Sequence, residues 1–284
     1  MKLRNQHFLA AAVGLVLAQA SGTASAEVTW TFDSANCVST LAAGHCSGGD
    51  SHFSSYRTYQ GVGTDAVDVT VSGWANTSNG TAGTNTALGL GMITHYSGGL
   101  GVKNADAGAG GDTYEGNVPE HAIDNNDRYD LVLFDFGAGN SVSLNDIQIG
   151  WTWSSGDADI NLLAYTGAGA MSLSGVEFHT GGEGLTAAGW SLVGNYDLNP
   201  NQSSGVNAGD VSSRYWIVAA HNNILGTDCE YDSNGCPNAN DYFKVLSMSG
   251  TFDTPTPPGS VPSPAPLALI GLGLAAIATR RKRH

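Results

Sequence analysis

Basic residues are scarce in this chain. Eleven Lys and Arg stand against 25 Asp and Glu over 284 residues. Most of the eleven sit at the ends: Lys2, Arg4, Arg280, Arg281, Lys282 and Arg283. Between Glu27 and Asp253 only Arg57, Lys103, Arg128, Arg214 and Lys244 face all 25 acids, a formal charge of −20. Such a body repels nucleic acid, which needs a basic face, and it suits cations instead. Cysteine is nearly absent, with four in the chain. Their spacing is not Cys-x-x-Cys and no compact His pair accompanies them, so a zinc site is disfavoured. Lys, Glu and Leu, the usual helix formers, are few, and no long stretch carries a 3.6-residue apolar period. Three motifs are missing: a Gly-x-Ser-x-Gly elbow, a His-Glu-x-x-His helix and a Gly-Lys-Ser/Thr phosphate loop. Their absence removes the sequence signatures of serine hydrolases, zinc proteases and nucleotide triphosphatases.

Gly, Ser, Thr, Asn and Asp fill the space, and short period-two stretches run between them. Val67 to Trp74 alternates, with Val67, Val69 and Val71 on one face. Leu131 to Phe136 is apolar on both faces until Asp135. Val142-Ser143-Leu144 and then Ile147 to Trp153 resume the alternation. Ile160 to Tyr165, Tyr215 to Ala220 and Tyr242 to Phe252 complete the clear strands, and Val28 to Phe32 and Leu88 to Ile93 are weaker ones. Turn-rich loops separate them and no internal repeat is visible. This pattern predicts an all-β fold, an antiparallel β-sandwich of jelly-roll type, over residues 27–253.

The two ends carry addresses. Lys2 and Arg4, the apolar run Phe8 to Ala18 and the small residues Ala24-Ser25-Ala26 form a signal peptide over 1–26, cleaved after Ala26. In an oxidising compartment an even number of cysteines implies disulfides; among three pairings, Cys37 with Cys46 and Cys229 with Cys236 is favoured. At the other end, residues 254–264 form a spacer stiffened by prolines. Val261-Pro262-Ser263-Pro264-Ala265-Pro266 leads into the apolar run Leu267 to Thr279 of segment 265–284, and Arg280-Arg281-Lys282-Arg283 closes it. As a helix the run covers about 20 Å, short of the ~30 Å hydrocarbon core. It serves as a handle for processing machinery, with transient inner-membrane association and the basic cluster on the cytoplasmic side.

This three-part tail resembles the PEP-CTERM sorting signal of Gram-negative bacteria, with Ser263 in place of the name-giving Glu. The resemblance implies export by the Sec machinery, recognition by an exosortase, and residence at the cell surface or in the extracellular matrix. It also implies association with exopolysaccharide. Within the body, Gly98-Gly99-Leu100-Gly101-Val102 reads as a Gly-rich turn. It is followed by Glu120-His121-Ala122-Ile123-Asp124-Asn125-Asn126 and the strand Tyr129 to Phe136. That series is similar to one group of exosortase-dependent surface proteins, as are Ile149-Gly150-Trp151 and Asp157 to Tyr165. The group carries no activity to transfer.

Three sets of residues are candidates for chemistry. Asp228, Glu230, Asp232 and Asn234 place oxygen ligands at alternate positions between Cys229 and Cys236, a pattern that can curl around Ca²⁺. Asp124, Asn126, Asp127 and Asp130 precede a strong strand and are a second calcium candidate, set against simple Asx-turns. Asp157 and Asp159 read as turn residues. Trp151 and Trp153 share a strand face by period two; buried they are core, exposed they form a platform for sugar faces. The isolated histidines lack ligand-like spacing. No catalytic residue is assigned and no cofactor is required, with Ca²⁺ the one candidate ion. The reading is a non-enzymatic surface or matrix protein of biofilm or floc, partnered by exopolysaccharide. A calcium-dependent carbohydrate-binding module is the alternative and a polysaccharide-active enzyme the third.

Overall fold

The computed structural model describes residues 27–39, 46–49, 52–77, 87–104, 119, 121–126, 128–153, 158–177, 183–222, 225 and 241–252. The expected signal peptide with Ala24 and Ala26, the spacer and the sorting tail lie outside these residues. The elements are β1 (Glu27–Thr31), β2 (Tyr56–Tyr59), β3 (Gly61–Val62), β4 (Val69–Ala75), β5 (Gly89–Leu90), β6 (Met92–Tyr96), β7 (Gly99–Lys103) and β8 (Ile123–Asp124). They continue with β9 (Asp130–Asp135), β10 (Val142–Thr152), β11 (Ala158–Tyr165), α1 (Glu183–Ala187), β12 (Trp190–Leu198), β13 (Ser203–Gly205), β14 (Ser212–Ser213), β15 (Tyr215–Ala220) and β16 (Tyr242–Phe252). The chain is all-β among the described residues apart from α1. Among them, no helix is long and apolar enough to cross a membrane.

The strands form two sheets with antiparallel ladders. The first runs β13-β10-β16-β1-β3, with β14 on β10, β7 and β8 on β16, and β6 on β7. The second runs β12-β11-β15-β9-β4-β2, with β5 on β4. One core joins them. Val28 and Trp30 of β1, Ile147 and Ile149 of β10, and Phe243, Val245 and Met248 of β16 come from the first sheet. Val69 and Val71 of β4, Val132 and Phe134 of β9, and Trp216 and Val218 of β15 come from the second. The opposite face of the second sheet is covered as well. Leu88, Leu173 and Leu185 of α1 pack there with Leu131, Leu133, Leu163, Ile217 and Ala219. This double burial explains why Leu131 to Phe134 and Trp216 to Ala220 are apolar without alternation.

Strand β10 shows how the period is broken and restored. Val142 and Leu144 point to the core, then Ile147 and Ile149 do, because the register with β16 slips between Leu144 and Asp146. One extra residue in a strand turns the following side chains to the other face. The two stretches read from sequence as separate alternations are therefore one continuous strand. The register shifts again between Gln148 and Ile149, and a third time between Ile149 and Trp151: Ile149 faces Val245 in the core, while Trp151 faces Lys244. Gly150 is the residue at the bulge, where a Cβ would lie 2.5 Å from the Gly98 carbonyl oxygen and 2.8 Å from Leu246 Cβ.

β15 and β16 match the expected Tyr215 to Ala220 and Tyr242 to Phe252. Leu88 to Ile93 instead splits into β5 and β6, with Gly91 between them. Gly99 to Val102, read as part of a turn, belongs to strand β7. The Gly99 φ of +111° and its approach to the Val245 carbonyl account for the glycine there. Cys37 and Cys46 are joined by a disulfide, as the local pairing predicts. Cys229 and Cys236 lie outside the described residues.

β1 and β16 are neighbours, with Glu27 opposite Thr251. The chain therefore enters and leaves this body one strand apart.

Candidate functional site

The Asp124 to Asp130 segment sits where β8, β9, β11, β15 and β16 end together. Asp124 is fully buried and pairs in register with Tyr242. Its Oδ1 accepts the Asn126 N–H at 3.0 Å, an Asx-turn. Arg128 and Asp130 are also fully buried. Asn125, part of the Asp124 to Asp127 motif read from the sequence, ties this end together. Its Nδ2 donates to the His221 carbonyl at 2.9 Å and to Asp241 Oδ2 at 3.1 Å, and its Oδ1 accepts the Asp241 N–H at 2.8 Å. Asp241 Oδ1 accepts the Asp159 N–H at 3.2 Å, and the Asp159 carbonyl accepts the His221 N–H at 3.0 Å. Asp159 is thus part of this network, whereas Asp157 lies outside the described residues.

One amide side chain thus ties His221 to Asp241. Among the described residues, no group of three or more His, Cys, Asp or Glu is placed to hold a metal. Asp127 and residues 228–236 lie outside that set.

A second buried polar cluster centres on Arg57 of β2. Its side chain is fully buried, and burial pulls its pKa below the ordinary value. Nε donates to the Ile93 carbonyl at 3.2 Å, and Nη2 donates to Thr94 Oγ1 at 2.8 Å and to the His52 carbonyl. His95 lies beside it, with Nδ1 3.4 Å from Nη1. The Tyr59 hydroxyl is 2.9 Å from the same nitrogen. Burial pushes the Tyr59 phenol far above its ordinary pKa, so it stays protonated and donates to Nδ1. Burial, and then the Arg57 charge, hold His95 down at about 4, so its ring is neutral and carries its proton on Nε2. The sequence clue was Arg57 itself, one of few cations in an acidic body, two residues before Tyr59. The cluster ties β2 to β6.

The tryptophans divide sharply. Trp30, Trp216 and Trp190 are in the cores and Trp74 packs against one, whereas Trp151 and Trp153 belong to neither. Period two alone would carry Trp151 inward behind Ile147 and Ile149; the bulge at Gly150 turns it out. Trp153 is 43 % exposed. The two rings lie 6.2 Å apart with planes inclined by 43°. Lys244 is buried against Trp151: its Nζ is 3.7 Å from the Trp151 ring centre and 5.0 Å from that of Tyr96. Tyr96 in turn lies against the His121 ring at 4.5 Å and faces Phe53 at 6.4 Å. Lys103 Nζ is 5.7 Å from the Phe53 ring. A strip of rings interleaved with two cations thus crosses the outer face of the first sheet. Lys244 and Tyr96 escaped the sequence reading because only strand pairing brings β6, β10 and β16 together.

Set against known protein families, curated proteins and solved structures, the chain matches none.

Proposed function

We propose that the chain is an exported, non-enzymatic protein of the cell surface or extracellular matrix, held there with exopolysaccharide. In this reading 1–26 is removed by signal peptidase. The body is a jelly-roll-like β-sandwich, and an exosortase processes the tail after the Val261, Pro262 and Pro264 motif. The observation that carries the reading is the tail: proline spacer, apolar run too short to remain as a span, and the cluster Arg280 to Arg283. One feature of the body supports it. The Cys37–Cys46 disulfide suits an oxidising compartment. The test is release from the matrix of the producing cell. Digesting the exopolysaccharide is expected to free the protein, while a salt wash of the same matrix leaves it bound. Release by salt alone would contradict the polysaccharide association.

Calcium belongs to this proposal through Asp228, Glu230, Asp232 and Asn234, and the observation in its favour is the Asn125 clasp between His221 and Asp241, which flank those residues in sequence. An ion that binds only the folded state must raise the melting temperature. Added Ca²⁺ is expected to raise it and EDTA to reverse the rise. A melting temperature indifferent to both removes calcium from the account.

A further inference from the structure

We propose that the outer face of the first sheet at Trp151 and Trp153 is a binding site for a neutral polysaccharide chain, whose sugar rings lie against the indoles. The proposal rests on the matrix reading above and names the ligand class of that association.

The placement of the rings is the first argument. A tryptophan next to Ile149 in a buried strand would gain by pointing inward with the isoleucines. The strand instead breaks its ladder at Gly150 and directs Trp151 outward against Lys244. Gly98 and Gly150 make room for the turn, since a Cβ on Gly98 would lie 2.5 Å from Trp151 Cβ. An outward-facing ring pair built at the expense of a regular ladder calls for an occupant of that face.

Preorganisation is the second argument. Trp151 is fixed by the cation against its ring, and Lys244 itself is trapped between Trp151 and Tyr96. Trp153 lies beyond the end of β10, yet its N–H still donates to the Tyr242 carbonyl at 3.1 Å. Both indoles are therefore carried on backbone that is tied to β16. Rings held in place lose little freedom when a ligand arrives.

Charge selects the ligand. The C–H face of a pyranose is weakly positive and suits the negative face of an indole. A polyanion would have to approach a body in which 25 acids outnumber five bases. The Lys244 charge is buried against Trp151 and Tyr96 rather than presented to solvent. A neutral glycan meets neither obstacle.

The test is affinity electrophoresis of the full chain in native gels cast with a neutral β-glucan, a neutral α-glucan, a neutral galactomannan or, as the polyanion, alginate. At least one neutral glycan is expected to retard the protein and alginate is not. Trp153→Ala is expected to weaken binding at least tenfold with an unchanged melting temperature, because Trp153 is exposed and outside the cores. Trp153→Tyr keeps a ring there and is expected to retain most of the retardation. Three results would overturn the site: no retardation by any neutral glycan, retardation by alginate alone, or a Trp153→Ala protein retarded like the wild type. Failure of the site is distinguishable from failure of the matrix reading. A protein that salt frees from the matrix but that still binds neutral glycan keeps the site and loses the location.

Discussion

At the scale of single residues, His95 makes a pH-dependent contribution to stability. Its ring is 3 % exposed, and burial beside the Arg57 guanidinium holds its pKa at about 4, below the ordinary 6.5. Tyr59 and Arg57 face Nδ1, and Asp33 acts in the opposite sense. A histidine with a depressed folded pKa binds its proton more readily when unfolded. The stabilisation is therefore complete above 6.5 and is lost as pH falls from 6.5 toward 4. The loss is on the order of 2 kcal/mol. In His95→Asn, whose side-chain oxygen can still accept from Tyr59, that component disappears. Denaturant unfolding at pH 7 and pH 4.5 is expected to show the wild type losing more stability than the variant. Equal losses would contradict the buried neutral ring. None of this was legible in the sequence, where His95 is one of several isolated histidines. Its neighbours come from β2 and from the segment after the disulfide, and only folding assembles them.

At the scale of elements, the bulge in β10 decides which side of the protein the tryptophans face. Gly150→Ala forces a Cβ to within 2.5 Å of a backbone oxygen that cannot move aside cheaply. The expected cost is about 2–4 kcal/mol, read as a lower denaturation midpoint with an unchanged denaturant slope. A midpoint equal to the wild type would show that the bulge is not needed. Much of the strand set was legible, because half-buried strands write themselves as alternation and the doubly covered β9 and β15 as apolar runs. β12 was not. Trp190 to Leu198 forms an edge strand, largely half-exposed from Val193 to Asp197, so no clean period marks it. Gly150 did carry a signal, since an isolated glycine inside a strand pattern marks a bulge. Taken as such, it would have turned Trp151 outward without a structure. β7 was hidden for the opposite reason: its glycines allow close approach to β16 and look like a turn.

At the scale of the whole molecule, topology and charge bear on the same conclusion. The core closes only when β1 and β16, the first and last strands, pair beside β10. Folding of this body must therefore wait until the chain is present through Phe252. The acidic surface resists polyanions and self-collapse alike, and leaves the aromatic face as the distinctive feature. All-β class and antiparallel pairing were readable from composition and period. The shared core, the covered outer face of the second sheet and the polar clasp at Asn125 were not, because each depends on partners far apart in sequence.

The central claim is that both ends are addresses removed during export. The most direct measurement is the intact mass of the protein recovered from the cell that makes it. The account predicts a chain beginning at Glu27, lacking the segment from Leu267 onward, and two hydrogens lighter for each disulfide formed. A mass extending to His284, found in the inner bilayer, would contradict it.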